Sequence, residues 1–321
     1  MIFYFFLLLF SFILTVIIEK KLIPLLKSCA KQPIYTEGPS WHISKQGTPT
    51  MGGIAFLIAI LLCSIIGAIY LFFTHHSEYA VITILISLIY ALTNGLIGVF
   101  DDLMKLSRQK NAGLSPFQKL SLQFILALIF LLARKRFFDD PTSINIGNAT
   151  LNLGVIYYPF AIVLLLGIVN CANLTDGIDG LATSVALTIG IVFAFLSRNS
   201  IGALIVSICL IGGCLGFLVF NKHPAKIFMG DTGSLFLGAI CASLAFALQN
   251  PMVIILIGGV YVIEGLSVIL QVVCYKLFEK RIFKMAPIHH HLEKIGFKEN
   301  SICKIAIITT IVLSLIAILV F

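Results

Sequence analysis

The sequence predicts an all-α polytopic membrane protein of about ten transmembrane helices, with a small external β-hairpin and a cytoplasmic interfacial helix. Three observations predict it. Of 321 residues, 59% are hydrophobic and 11% charged, whereas a soluble domain carries about a quarter charged residues. The mean hydropathy is +1.06. Apolar runs recur at the length of about 20 residues that crosses a bilayer as a helix, and Lys and Arg gather in alternate loops. The net charge of +8 would suggest nucleic acid for a soluble protein. Here it reads as basic loops at an anionic membrane face that meet anionic substrates, with no nucleic acid partner.

The elements follow in order. The first span, 2–23, lacks a basic n-region and a cleavage site, so it reads as a retained helix. The next three are 51–73, 79–100 and 117–134. "TSINIGNATLNLGVIYYP" then alternates apolar residues around Gly-Asn, the pattern of a β-hairpin. Spans five to eight are 155–172, 180–197, 200–220 and 232–249. The ninth, 251–275, carries Gly258, Gly259 and Gly265 and is expected to bend or break. "KLFEKRIFK" spaces Lys276, Lys280 and Lys284 by four, as an amphipathic interfacial helix would. The tenth span is 302–320. No internal repeat or low-complexity linker divides the chain, so 1–321 is one domain. Cys63, Cys209, Cys214, Cys241 and Cys274 sit in apolar runs as small hydrophobes.

Of the 22 Lys and Arg, only Arg134, Lys135, Arg136 and Arg198 fall in the loops after even-numbered spans. The other set should therefore be cytoplasmic, and both termini outside. The same map sorts the acids. Asp101, Asp102, Asp176, Asp179 and Asp231 fall at the cytoplasmic ends of spans, and Asp139 and Asp140 in an external loop. Five carboxylates at one membrane face repel one another and call for a hard divalent cation. Mg²⁺ takes one or two carboxylates plus water and phosphate oxygens.

Each piece has a plainer reading beside the functional one. Asp101 and Asp102 could be solvated at a helix end. Asn173, Asp176 and Asp179 are three apart, which would put them on one face of a helical turn, or they could lie in a solvated loop. Asp231, Thr232 and Ser234 open a helix, where they could cap it or help bind an anion. Lys45, Thr48 and Thr50 precede the second span, and Lys110 and Lys119 follow the Asp pair, all on the same face. His289, His290 and His291 in a row could contact a diphosphate, ligate zinc from a loop, or be incidental. Glu264 lies deep in a span, where an acid is either functional or a paired structural group.

"GTPTMGG", "GVFDDLMK", "NLTDGIDGLA", "FMGDTGSLFLG" and "APIHHHLEKIGF" occur in that order. With them the whole chain resembles the phospho-N-acetylmuramoyl-pentapeptide transferases, a branch of the polyprenyl-phosphate N-acetylhexosamine-1-phosphate transferases. The triple-His segment is specific to that branch. The resemblance implies transfer of phospho-N-acetylmuramoyl-pentapeptide from UDP-N-acetylmuramoyl-pentapeptide to undecaprenyl phosphate, giving the undecaprenyl-diphospho product (lipid I) and UMP. It implies Mg²⁺, ten spans in a bacterial inner membrane, a cytoplasmic site and a homodimer. By matching motif positions it implies that Asp231 is the main Mg²⁺ ligand, with Asn173 and Asp176 lining the metal site. Asp101 and Asp102 would lie by the lipid phosphate, with Asp101 placed to deprotonate it. Asp179, Asn221 and Phe228 would hold uridine. Lys45, Lys119 and His290 would contact phosphates. Thr50, Lys110, His289 and His291 complete the expected substrate contacts, and Glu264 lies near a groove for the lipid tail. The family pattern leaves open both direct attack and an aspartyl-phosphate route. An N-acetylglucosamine-1-phosphate transferase is the nearest alternative, and a cation transporter with an acidic mouth the alternative from another class.

Overall fold

A computed structural model describes residues 2–29, 45–74, 77–108, 113–138, 142–147 and 149–321. Lys110, Asp139 and Asp140 lie outside them. Among the described residues ten helices are long and apolar enough to cross a membrane. The chain is an all-α multi-pass membrane protein whose one sheet, among the described residues, is a two-stranded hairpin.

The first four helices are α1 (Ile2–Cys29), α2 (Gly53–Thr74), α3 (Glu78–Arg108) and α4 (Pro116–Phe137). The start of α4 is written locally. Ser115 accepts from the Gln118 amide, the Gln118 side chain accepts from the Ser115 amide, and Pro116 takes the first helical position. That is a capping box with its proline where a missing N–H does no harm. The hairpin pairs β1 (Ser143–Ile146) with β2 (Ala149–Asn152), antiparallel. Its turn begins at Gly147, φ +55°, and the Gly147 amide donates to the Val320 carbonyl at 2.6 Å. The hairpin therefore sits on the end of the last helix.

Then follow α5 (Tyr157–Thr175), α6 (Leu181–Leu196), α7 (Ile201–Asn221) and α8 (Gly230–Ala247). The ninth span is interrupted at Gly258, between α9 (Val253–Ile257) and α10 (Gly259–Phe278), as its glycines suggest. A short α11 (Ile288–Lys294) and α12 (Glu299–Val320) complete the chain.

Two readings change here. No separate helix forms over 276–284. Helix α10 stops at Phe278, and Glu279 turns left-handed at φ +55°. The Gln271 side chain then takes over the bonding. Its Oε1 accepts from the Ile282 and Phe283 amides at 3.1 and 2.9 Å, and its Nε2 donates to the Phe283 carbonyl at 3.1 Å. These bonds fold the segment back along α10. The short helix on this face is α11, and it carries the three histidines that the sequence suggests for a loop.

Helix α8 is the hub, buried from Thr232 to Ala247 and packed by α3, α5, α2 and α6. Close packing in a bilayer rests on small residues, because lipid supplies no hydrophobic drive between helices. Gly53 of α2 rests on Gly233 of α8, and Gly98 of α3 rests on the Asp231 carbonyl; a Cβ at either glycine would overlap backbone. These contacts bring the ends of α2, α3 and α8 together.

Candidate active site

The site is built at one end of the bundle, where α2, α4, α6, α8 and α12 begin and α3, α5, α7 and α10 finish. The strand-like stretch before α2 pairs with the loop before α8. Phe228 donates its amide to Pro49, and the Phe228 and Met229 carbonyls accept from the Gly52 and Gly53 amides, at 2.9–3.0 Å. Thr50, nearly fully buried, is held beside Gly230, which bends into α8 at φ +70°.

The first turn of α8 is capped from another helix. Asp102 of α3 accepts from the Asp231 amide at 3.2 Å, the Thr232 amide at 2.9 Å and the Thr232 hydroxyl at 2.7 Å. Residues at α8's own N-terminus make no side-chain cap. A carboxylate there satisfies orphan donors and meets the positive end of the helix.

Asp231 points to the opposite side of that turn. Its Oδ2 accepts from Lys119 at 2.5 Å and lies 3.2 Å from Lys105 Nζ. Its Oδ1 accepts from Asn173 at 3.1 Å. Asp101, fully buried, pairs with Lys105 at 2.6 Å and accepts from the Leu114 amide at 2.8 Å. Three carboxylates from α3 and α8 are thus interleaved with two ammonium groups. Lys105 closes the "GVFDDLMK" motif, but the sequence reading gives it no role. Its signal is present all the same: it stands four residues after Asp101 on the same helix, the spacing at which opposite charges meet.

A cavity of about 260 Å³ opens beside this cluster, lined by Asp102, Lys105, Asn173, Asp176, Asn221, Phe228 and Asp231 among others. Asn221 is fixed by Thr183 and by the Ile227 carbonyl, at 3.1 and 3.0 Å. Asp176 is half-buried there, and its side chain has no hydrogen bond or ion pair among the described residues. Burial first, and then the charges of Asp231, Asp102 and Asp179, push its carboxyl well above the usual range. Carboxylate oxygens of Asp101, Asp102 and Asp231 lie within 4.8 Å of one another. An all-oxygen donor set in which neighbouring carboxylates crowd Asp176 fits a hard divalent cation. Asp231, Asp176 and Asn173 line the cavity with oxygen-bearing side chains, as do Asp102 and Asn221. Asp102 is the poorer donor, since its oxygens already serve α8.

Asp179 does not join this set. Helix α5 ends at Thr175, Asp176 leaves helical geometry (φ −81°, ψ 48°), and Gly177 follows. The helical turn that would align Asn173, Asp176 and Asp179 is therefore broken after Asp176. Asp179 turns to a second cluster, where Lys45 Nζ lies 2.7 Å from Asp179 and 2.8 Å from Glu299. Glu299 also accepts the Asp179 amide at 2.8 Å, and His223 Nδ1 lies 2.9 Å from Asp179. Burial alone would lower the Lys45 pKa. Its hydrogen bonds to Asp179 and Glu299 outweigh that and raise it. Lys45 thus sits where a cation would go between these acids. Glu299 and His223 carry no motif of their own, and only the fold joins them to Asp179.

The histidines separate as well. His289 is fully buried, and both its Nδ1 and its amide meet Glu264 Oε2, at 3.0 and 3.3 Å. Glu264 is thus paired, and the pair ties α11 to α10. His289 Nε2 faces Gly177, where a Cβ would overlap it. His290 bonds Glu293 at 2.7 Å, and His291 accepts the Lys284 amide at 3.1 Å.

Residues 84–249 match Glycosyl transferase family 4, and residues 45–57 match the phospho-N-acetylmuramoyl-pentapeptide-transferase signature 1. The chain is 40% identical over 311 residues to the phospho-N-acetylmuramoyl-pentapeptide-transferase of Clostridium perfringens strain 13, covering 96% of this chain and 95% of that one. It is 42% identical over 304 residues to the protein of that name from Clostridium kluyveri strain ATCC 8527, covering 93% of each. For Halalkalibacterium halodurans the figures are 41% over 296 residues, 91% of this chain and 89% of that one.

Proposed function

Since the chain belongs to the phospho-N-acetylmuramoyl-pentapeptide-transferase family, whose members are membrane enzymes, we propose that it transfers phospho-N-acetylmuramoyl-pentapeptide from its UDP derivative to undecaprenyl phosphate. The products are undecaprenyl-diphospho-N-acetylmuramoyl-pentapeptide and UMP, and the process is peptidoglycan synthesis. The observation that carries the reading is the cavity at the start of α8, where acids and lysines from three helices meet at one membrane face.

A phosphate that attacks a diphosphate brings several negative charges together. A P–O bond forms from the acceptor phosphate to the sugar-linked phosphorus, and the bond to UMP breaks. Asp231, Asp176 and Asn173 would hold Mg²⁺. That ion, when bound, would shield the charge that builds on the phosphate oxygens. Lys119 and Lys105, now paired with Asp231 and Asp101, are placed to give part of that pairing to phosphate. Asp101 lies beneath them as the group to take an acceptor proton. Asp102 holds the N-terminus of α8 in place. Asn221 and Phe228 would flank the nucleoside, with Asp179 and Lys45 behind them and His290 toward the diphosphate. The site faces the cytoplasm of a bacterial cell in this reading, both termini lie outside, and two copies pair.

UMP release from UDP-N-acetylmuramoyl-pentapeptide, with undecaprenyl phosphate in detergent, tests the proposal. Turnover that a chelator abolishes and Mg²⁺ restores is the expected result. Release from UDP-N-acetylglucosamine instead would move the chain to the neighbouring branch.

A further inference from the structure

A nucleotide sugar bearing five amino acids is larger than the 260 Å³ cavity, which lies below even the roughly 300–1,000 Å³ usual for small-ligand sites. Part of the substrate therefore extends beyond that cavity. A second cavity of about 310 Å³ lies on the same face, lined by His223, Glu293, Phe297, Lys298, Glu299 and Asn300. Nothing in the motif reading or the family matches assigns it a role.

The two cavities share one wall. Ile178 and Asn221 line the first. Asp179, the next residue after Ile178, bonds Glu299 and His223, which line the second. On its other border, Glu293 is bonded to His290. The acids of the second cavity are committed: Glu299 to Lys45 and the Asp179 amide, Glu293 to His290. Lys298 makes no ion pair among the described residues and is exposed. As the residue before α12 it makes no side-chain cap either. What the cavity offers a ligand is thus an uncommitted ammonium, the Asn300 amide and the half-exposed Phe297 ring, while its acids are held by hydrogen bonds within the protein. A peptide acylated at its amine by muramic acid keeps a free C-terminal carboxylate, and this is the complementary group.

We propose that the cavity between α11 and α12 is the docking site for the peptide arm of the nucleotide-sugar substrate, with Lys298 as its carboxylate-binding residue. The inference rests on the function proposed above and adds where the peptide lies.

The test compares Lys298→Ala and Lys298→Glu with the parent, using UDP-N-acetylmuramoyl-pentapeptide and the peptide-free UDP-N-acetylmuramic acid. Where the peptide-free compound is not turned over, its inhibition constant takes the place of its KM. Loss of one exposed charge contact should lower kcat/KM for the pentapeptide substrate about three- to tenfold, and charge reversal should lower it further. The peptide-free compound should change less than about twofold. Equal changes for both compounds, or none for either, would overturn the docking site while leaving the function intact. A parent that turns over no muramoyl nucleotide would overturn the function and this site with it. Melting in detergent checks that both variants fold, as an exposed side chain without an ion pair predicts.

Discussion

At the residue scale, the two neighbouring carboxylates of "GVFDDLMK" do different work. Asp101 is buried among lysines, whereas Asp102 caps α8. Removing that cap by Asp102→Ala leaves the Asp231 and Thr232 amides and the Thr232 hydroxyl without their acceptor, which costs about 1–3 kcal/mol. The expected outcome is a clear fall in melting temperature in detergent together with loss of turnover. Asp231→Asn contrasts with it. The introduced amide is isosteric with the carboxylate it replaces, and Lys105 and Lys119 would both keep Asp101 as a partner, so melting should shift little. A neutral amide is a weaker ligand for a hard cation than a carboxylate, so UMP release should fall by about two orders of magnitude or more. If Asp102→Ala melts like the parent, the cap is not what orders the start of α8. If Asp231→Asn turns over normally, Asp231 leaves the proposed metal set.

At the element scale, the ten spans were legible because bilayer thickness imposes one length on all of them. The hairpin was legible because period-two alternation around Gly-Asn has few other solutions. Helix ends governed by long-range partners were not. "KLFEKRIFK" has helical charge spacing, yet a single side chain eleven residues upstream, Gln271, takes the Ile282 amide and turns the chain. The split of Asp176 from Asp179 likewise depends on where α5 stops and on Glu299, more than a hundred residues away. Lys105 was readable from its spacing to Asp101; Glu299 was not, since only the fold brings α12 to Asp179. The junction of α5 with α11 offers a direct measurement. Gly177→Ala would put a methyl into the His289 ring, which is fully buried and tied to Glu264. Overpacking of this kind costs about 1–3 kcal/mol. A lower melting temperature and reduced turnover are expected, with Gly167→Ala as control, because a Cβ there meets nothing within 4 Å. Equal melting of the two variants would show that α11 is free to shift away from Gly177.

At the scale of the whole molecule, the bundle has two chemically distinct ends. One gathers Asp101, Asp231, Lys105, Lys119 and the Lys45 cluster. The other carries the hairpin, seated on the end of α12 through Gly147 and Val320. With ten spans among the described residues, both chain ends fall at the hairpin's end. Positive residues resist translocation, so the end with 18 of the 22 Lys and Arg should be the cytoplasmic one. A charged nucleotide sugar made in the cytoplasm would reach the cavity only from there. Single cysteines in a background cleared of the eight native ones can report this. Lys280→Cys lies in the exposed segment after α10, and Leu151→Cys lies on the exposed hairpin. In intact spheroplasts an impermeant thiol reagent should label position 151 and spare position 280; after lysis it should label both. Labelling of position 280 from outside would invert the molecule. It would also leave the cavity without access to a cytoplasmic nucleotide sugar, so the topology and the proposed reaction would fall together.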